Sequence, residues 1–315
     1  MDLRRLGQSN LYIAPLMLGG NVFGWNVDEA TSFALLDAFI DAGFNAVDTA
    51  DTYSRWVPGH QGGESEIVIG NWLKRSGKRD KVVIATKVGN DMGEGKNVTT
   101  AYILRAAEAC LQRLQVDCID LLQTHFDNEA TPVEETMSAY AQLIAQGKVR
   151  AVGASNMTPA RLSASLEASR RLGIPRYEAL QPLYNLYDRA GFESDYAPIC
   201  RAEGLGVIPY YSLASGFLTG KYRSEADAGK SAVRGGRMKQ YLNARGLRIL
   251  AALDEVAKRH GATPAQITLA WLMARPEVTA AISSATSMAQ LNDIMKAPEI
   301  KLTGEDIAAL DKASA

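Results

Sequence analysis

An acid, a phenol, a cation and an imidazole stand near the ends of three successive apolar runs. Asp48 ends the run FNAVD and Tyr53 follows it, while Lys87 ends KVVIATK and His125 ends IDLLQTH. Each residue alone has an ordinary explanation, such as a turn cap for Asp48 or a solvated cation for Lys87. Together they indicate a reactive site, because partly desolvated charges need partners and such groups gather at functional sites.

These four side chains are suited to protonating an oxygen atom that gains negative charge. A phenol keeps its proton at neutral pH, since its ordinary pKa is about 10. We expect the Lys87 ammonium to lower the pKa of Tyr53, and Asp48 to keep Lys87 charged and in place. His125 can donate a hydrogen bond that orients a carbonyl oxygen beside the phenol. The set supplies a proton but no hydride, so this chemistry predicts a bound redox cofactor.

The runs that carry these residues belong to a series that alternates with segments of helical periodicity. The eight runs read APLMLGG, FNAVD, KVVIATK, IDLLQTH, VRAVGAS, EALQ, LGVIPYYS and VTAAISS. No linker divides the chain, so we predict an α/β fold with residues 1–315 as one domain, a (β/α)8 barrel. We also predict an N-terminal β-hairpin turning at Ser9-Asn10, which closes the barrel floor, and extra helices near the C-terminus. In such a barrel the C-terminal strand ends share one rim, where active sites lie.

Charge and composition restrict the classes of partner. The chain has 34 Lys plus Arg against 35 Asp plus Glu, so no net field favours nucleic acid or an anionic membrane. It shows neither a secretory signal nor a run of about 18 apolar residues, and we expect a cytoplasmic protein. Its three cysteines are scattered, so we expect neither a disulfide framework nor a metal site. The expected partner is a small-molecule carbonyl substrate, and the oligomeric state is left open.

Six motifs, in order along the chain, resemble those of the aldo-keto reductases over essentially its whole length. They read NAVDTADTY, VIATKVG, LLQTH, VGASN, LQPLYNL and YYSLASGFLTGKY. The resemblance implies a (β/α)8 barrel, nicotinamide chemistry and a catalytic tetrad of Asp48, Tyr53, Lys87 and His125. Tyr53 would be the general acid of this tetrad, in agreement with the roles argued from the residues themselves.

The resemblance also implies a cofactor site along the strand ends. Ser155, Asn156 and Gln181 would hold the nicotinamide, and Tyr211 would stack on its ring. Further along the cofactor, the resemblance implies contacts from Gly20, Ser212, Leu213, Ser215, Lys221, Arg234, Thr286, Gln290 and Asp293.

The segment after the eighth run departs from the family pattern. Ser284 and Thr286 stand where some members carry glycine or a cation, and Ile294 replaces a final asparagine. Gln290 and Asp293 keep a pattern similar to that of the branch containing potassium-channel β subunits and bacterial reductases. The segment therefore offers no cation for a 2′-phosphate.

Cations are found instead in the polar stretch GKYRSEADAGKSAVRGGRMKQYLNARG. We predict that this stretch forms a mobile loop. Lys221 and Arg234 match positions where the channel-subunit branch places cations over the cofactor. We therefore predict NADP(H) as the preferred cofactor, with NAD(H) as the alternative.

The leading hypothesis is an NADPH-dependent carbonyl reductase in which Trp25, Trp56 and Phe126 line an apolar substrate pocket. A second hypothesis makes Lys87 the Schiff-base lysine of a barrel lyase, which gives no role to Tyr53. A third is a cofactor-binding regulatory subunit, similar to channel β subunits, in which turnover is incidental. The sequence does not identify the physiological substrate, because the loops at the rim determine it.

Overall fold

The computed structural model describes residues 2–230 and 235–315. Strands β1 (Arg4–Arg5) and β2 (Tyr12–Ile13) pair antiparallel, which confirms the predicted hairpin. The eight strands of the main sheet follow in chain order: β3 (Leu16–Gly19), β4 (Ala46–Asp48), β5 (Val83–Val88), β6 (Ile119–Thr124), β7 (Val149–Ser155), β8 (Tyr177–Gln181), β9 (Gly206–Val207) and β10 (Ala281–Ser283).

All neighbouring strands of this sheet are parallel, in the order β10-β3-β4-β5-β6-β7-β8-β9. The two ends of the sheet meet through backbone hydrogen bonds. Thr279 N–H donates to Val207 O (2.8 Å), and Ile282 N–H donates to Pro209 O (3.2 Å). The sheet is therefore closed around its axis, and the predicted (β/α)8 barrel is confirmed.

Helices cover the outside of the barrel. Two of them, α7 and α8, separate β9 from β10, and α9 and α10 follow β10, as expected of extra helices near the C-terminus. The helices are α1 (Glu29–Asp41), α2 (Glu64–Ser76), α3 (Thr100–Leu114), α4 (Val133–Ala145), α5 (Pro159–Leu172), α6 (Ala197–Glu203), α7 (Ala244–His260), α8 (Pro264–Met273), α9 (Met288–Ile294) and α10 (Gly304–Ser314). Within the described ranges, none is long and apolar enough to cross a bilayer.

Short polar side chains fix where several helices begin. Asp28 accepts a hydrogen bond from Thr31 N–H at the start of α1. Reciprocal capping boxes start α8, between Thr263 and Gln266, and α10, between Thr303 and Asp306. Such caps satisfy backbone donors that the first helical turn leaves unpaired.

The hairpin closes the end of the barrel opposite the C-terminal rim. Leu6, Leu11 and Ile13 are buried against inward-facing barrel residues such as Met17 and Ile208. Most other residues of this inner layer are alanines, which leave room for the hairpin side chains. This end of the barrel is therefore filled with apolar side chains.

Two hydrogen bonds from the first strand reach the last part of the barrel. The Arg4 guanidinium donates to Met273 O and to Val278 O, both at 3.0 Å. The N-terminal hairpin is therefore attached to the segment just before β10, the last strand of the barrel.

The polar stretch after β9, predicted to be a mobile loop, contains short helical turns in its described parts. Its described parts contain 3₁₀ turns at Glu225–Lys230 and Gly235–Gln240. Two apolar side chains in it, Met238 and Tyr241, are buried, and Tyr241 stacks on Phe217 with ring centroids 5.2 Å apart. These contacts hold the stretch against the body of the protein. Arg234 lies outside the described residues.

A close approach of α2 to the end of α3 generates a stability prediction. A Cβ atom at Gly70 would lie 2.3 Å from Arg113 O and 2.8 Å from the Leu114 carbonyl carbon. We expect Gly70→Ala to destabilise the protein by about 1–3 kcal/mol, because this overlap outweighs the better helix propensity of alanine. Urea unfolding would measure the change. The matched control is Gly304→Ala, in the first turn of α10, where the added methyl group meets nothing within 4 Å. If both substitutions have the same effect, the close packing at Gly70 is not the cause.

Candidate active site

Three predicted catalytic residues form one buried hydrogen-bonded cluster. Lys87 Nζ donates to Asp48 Oδ2 (2.7 Å), to Thr49 O (2.8 Å) and to Tyr53 Oη (2.9 Å). Tyr53 Oη donates in turn to Asp48 Oδ2 at 3.1 Å. Lys87 is 1% exposed and Asp48 is 2% exposed. All three ammonium hydrogens therefore have acceptors, as a buried cation requires.

The parallel register of β4 and β5 explains this meeting. Asp48 lies opposite Ala85 in the ladder, and Lys87 is two residues further along β5. Because alternate residues of a strand share a face, Lys87 also points into the barrel. The chain after β4 continues along β5, where Asp51 N–H donates to Lys87 O at 3.1 Å. Tyr53, two residues later, is thereby brought over the ammonium.

The net pKa shift of Tyr53 differs from the expectation. Burial and the Asp48 carboxylate raise the pKa of Tyr53 well above its ordinary value. The expectation that Lys87 lowers the pKa of Tyr53 is wrong. Asp48 offsets the ammonium charge, and burial penalises the phenolate. Tyr53 is therefore protonated at neutral pH, which is the state of a general acid before it acts.

His125 lies beside the phenol. The two rings are in an edge-on arrangement with centroids 6.0 Å apart, and His125 Nδ1 is 3.4 Å from Thr52 Oγ1. Burial and the Lys87 charge lower the pKa of His125 well below its ordinary value. The imidazole is therefore neutral at physiological pH, and its two nitrogens have different roles.

The three aromatic residues predicted to line a substrate pocket lie near the rings of Tyr53 and His125. The Trp56 ring lies 6.2 Å from that of Tyr53 and 5.6 Å from that of Trp25. The Phe126 ring lies 5.2 Å from the His125 ring. Trp56 is 53% exposed, so this aromatic wall opens towards solvent.

A model of the aldo/keto reductase family matches residues 15–315. The chain belongs to this family. The uncharacterized oxidoreductase YrpG of Bacillus subtilis (strain 168) is 34% identical, with 99% of this chain and 95% of that protein aligned. Protein tas of Escherichia coli (strain K12) is 30% identical, with 99% and 97% aligned. A probable voltage-gated potassium channel subunit beta of Arabidopsis thaliana is 30% identical, with 95% and 92% aligned. Family membership and the oxidoreductase relatives support an NAD(P)H-dependent oxidoreductase.

The residues that an aldo/keto reductase would place at the nicotinamide adjoin the cluster. Gln181 Nε2 donates to Asp48 Oδ1 at 2.8 Å. Ser155 Oγ donates to Gln181 O at 2.8 Å, and Asn156 Nδ2 donates to His125 O at 2.9 Å. The ends of β7 and β8 thus extend the hydrogen-bonded network that begins at Lys87.

The loop after β9 has an unusual backbone. Tyr211 and Ser215 have φ values of 54° and 56°, and Gly216 follows with 95°. A left-handed conformation costs a non-glycine residue roughly 1–2 kcal/mol, and such strain is found mainly at functional segments. Ser212 is buried in this loop and Leu213 packs partly against the core.

Lys221 extends over the same loop. A Cβ atom at Gly216 would lie 3.9 Å from Lys221 Nζ, so the ammonium stands next to the left-handed turn. The side chain also covers the ring of Tyr222, at 5.0 Å from its centroid.

The remaining predicted cofactor residues divide into two groups. Gly20 adjoins the cluster, since its N–H donates to Asp48 O at 2.7 Å. Thr286 and Gln290 lie together after β10, where Thr286 Oγ1 donates to Gln290 Oε1 at 3.1 Å.

Asp293 is occupied elsewhere in the structure. Its carboxylate accepts hydrogen bonds from Thr263 Oγ1 (3.1 Å) and Gln266 Nε2 (2.7 Å) at the start of α8. Its role as a cofactor contact stays a prediction.

Two residues that the sequence did not single out also reach the site. Tyr210 Oη donates to Asn156 Oδ1 at 3.1 Å, and its ring lies edge-on to that of Tyr211 at 5.2 Å. Arg237 Nη1 donates to Tyr211 Oη at 3.1 Å. The aromatic pair in the motif YYS could have identified Tyr210 as a site residue. For Arg237, the sequence offered no feature other than its charge.

Asp51 is a buried acid without a partner. It is 2% exposed, and neither carboxyl oxygen has a hydrogen-bond partner among the described residues. The nearby Glu66 is paired with Arg113, whose Nε lies 2.6 Å from Glu66 Oε2. Burial and the Glu66 charge raise the pKa of Asp51 well above its ordinary value. Asp51 therefore keeps its proton to a higher pH in the folded protein than a solvated carboxyl group does.

A raised folded-state pKa makes stability fall as pH rises. The unfolded chain ionises Asp51 above about pH 4, whereas the folded protein keeps its proton there. Asp51→Asn removes this titration. Relative to wild type, we expect the variant to gain about 1.4 kcal/mol of unfolding free energy per pH unit between pH 5 and the folded pKa. Urea unfolding across that range would test it. The control is Asp117→Asn at an exposed position, and a flat Asp51→Asn difference with pH would contradict the assignment.

Proposed function

We propose that the protein is an NADPH-dependent reductase that converts an aldehyde or ketone to an alcohol. The observation that carries the proposal is the Tyr53 hydroxyl, which lies 2.9 Å from Lys87 Nζ at the mouth of an aromatic-lined rim. This is a protonated acid with a cation ready to stabilise its conjugate base.

The residues divide the reaction between them. Ser155, Asn156 and Gln181 would hold the nicotinamide of NADPH, which would supply the hydride for the carbonyl carbon. Tyr53 donates its proton to the carbonyl oxygen, so the Oη–H bond breaks as the new O–H bond of the alcohol forms. The phenolate left on Tyr53 is stabilised by the Lys87 ammonium, and in a buried site that attraction is stronger than in water. His125 donates a hydrogen bond that holds the oxygen beside the phenol.

The rim has polar groups suited to a dinucleotide. Ser155, Asn156 and Gln181 offer donors and acceptors at one end of the site. At the other end, Lys221 and Arg237 form no ion pair with any residue in the described part of the chain. Cations without carboxylate partners beside a left-handed backbone turn fit phosphate groups. A 2′-phosphate would give NADPH an advantage over NADH.

The bonding of Lys87 favours a reductase over a Schiff-base lyase. A Schiff-base lysine must present a neutral amine with a free lone pair to its substrate. Here the ammonium donates to Asp48, Thr49 and Tyr53, and no hydrogen position is left over. The same arrangement gives Tyr53 a role that the lyase hypothesis does not.

Removing the acid tests the catalytic assignment. We expect Tyr53→Phe to lower kcat by about 10²-fold or more, the usual contribution of a general acid, with the NADPH dissociation constant unchanged. Reduction of a panel of aldehydes, ketoses and bulky ketones would be followed through NADPH absorbance. The control is Tyr140→Phe, which also removes a buried tyrosine hydroxyl, one bonded to Thr124. A loss under about tenfold would exclude Tyr53 as the acid.

Cofactor preference depends on the two cations. A charge-assisted hydrogen bond to phosphate contributes about 1.5–3 kcal/mol, so we expect Lys221→Met and Arg237→Met each to weaken NADPH by about tenfold or more. NADH affinity should change little. Fluorescence titration would give both dissociation constants, with the exposed Lys301→Met as the control. Arg234→Met should be measured in the same series, because the sequence analysis predicts that Arg234 also contacts the cofactor. Equal losses for both cofactors would show that the cations do not recognise the 2′-phosphate.

A further inference from the structure

We propose that Thr52 and Asn90 are positioning residues that fix the tautomer of His125, so that Nε2 carries the proton and Nδ1 carries none. The consequence for catalysis rests on the proposed reductase function. The tautomer itself is observable in the protein without any turnover.

The chain of hydrogen bonds begins at Asn90, whose amide orientation is determined by its neighbour. Asn90 Oδ1 accepts a hydrogen bond from Asp91 N–H at 2.8 Å. The amide nitrogen Nδ2 therefore points the other way, where it donates to Thr52 Oγ1 at 3.4 Å. Asn90 is also held through its backbone oxygen, which accepts from Tyr102 Oη on α3 at 3.3 Å.

The Thr52 hydroxyl accepts from Asn90 and therefore donates its own hydrogen to His125. A hydroxyl has one hydrogen to donate, and Oγ1 already accepts from Asn90. Its hydrogen is therefore available for His125 Nδ1, 3.4 Å away. A ring nitrogen that accepts a hydrogen bond carries no proton, so a neutral imidazole must carry its proton on Nε2.

The opposite tautomer leaves a buried group unsatisfied. If Nδ1–H donated to Thr52, Oγ1 would accept two hydrogen bonds, and its own hydrogen would have no acceptor in the described part of the chain. Thr52 is 5% exposed, so solvent cannot easily supply one. An unsatisfied buried polar group is unfavourable. The structure therefore selects the Nε2–H form.

This selection gives His125 the donor that the reaction needs. An Nε2–H group can donate to a carbonyl oxygen, whereas an unprotonated Nε2 would face that oxygen with a lone pair. Only the fraction of molecules with the correct tautomer binds substrate productively, so kcat/KM falls in proportion to that fraction. Thr52 and Asn90 act through His125 and do not themselves need to touch the substrate.

Nitrogen-15 NMR of the histidine rings reads the tautomer directly. The chain has three histidines, so His60→Gln and His260→Gln assign the remaining signals to His125. We expect wild-type His125 to show a protonated Nε2 and an unprotonated Nδ1 at neutral pH. A wild-type Nδ1 that carries the proton would overturn the proposal, whether or not the protein reduces any carbonyl tested.

Variants of Thr52 connect the tautomer with activity. Thr52→Val keeps the shape and removes the hydroxyl, so we expect a mixed tautomer signal and a loss of kcat/KM of about threefold to tenfold, the effect of one hydrogen bond. Thr52→Ser keeps the hydroxyl and should restore both readings to near wild type. Thr136→Val, which removes another buried threonine hydroxyl, bonded to Val98 O, should leave the His125 signal unchanged.

Several results would contradict the proposal. A Thr52→Val protein with the wild-type tautomer would show that the hydroxyl does not select it. A Thr52→Ser protein as impaired as Thr52→Val would point to packing in place of hydrogen bonding. An Asn90→Ala spectrum identical to wild type would remove Asn90 from the chain of hydrogen bonds. If the tautomer behaves as expected but no carbonyl is reduced by the wild type, the reductase function fails and the tautomer assignment stands.

Discussion

The buried ion pair between Lys87 and Asp48 is the interaction on which the rest of the site depends. Moving each charge out of water costs on the order of several kcal/mol, which is recovered only with good geometry and further hydrogen bonds. Asp48 meets that requirement by accepting from Lys87, Tyr53 and Gln181. The pair therefore ties three barrel strands and the phenol into one unit. Removing any one of these partners would leave a buried charge without solvation, and this would disturb the other hydrogen bonds of the cluster.

The closed parallel barrel brings these groups together from distant parts of the chain. The register of neighbouring strands determines which residues share the rim, and closure brings the last strand beside the first. Because the hairpin fills the opposite end, polar groups have just one end at which to gather. The chemistry of the site is thus set by where each strand stops, and the surrounding loops supply the aromatic wall and the cations.

Much of this architecture could be predicted because it depends on short-range patterns in the sequence. Apolar runs of strand length and amphipathic helices repeat at regular spacing, and Asp48, Lys87 and His125 are each found at the end of a run. The pKa of Tyr53 could not be predicted in the same way, because its sign depends on how burial and Asp48 balance the ammonium. The isolation of Asp51 depends on a pairing between Glu66 and Arg113 on different helices. The contact of Arg237 with Tyr211 follows from a left-handed backbone at Tyr211 and from 3₁₀ turns with no periodic signal.

The attachment of the N-terminal hairpin has a consequence for how the protein is made. The side chain of Arg4 finds its acceptors at Met273 and Val278, and β3 pairs with β10. A ribosome delivers the N-terminal residues long before these partners exist. The apolar side chains of the hairpin therefore stay partly uncovered until these later residues have been synthesised. Contacts of such long sequence separation slow folding, and until they form the exposed apolar side chains of the hairpin favour aggregation.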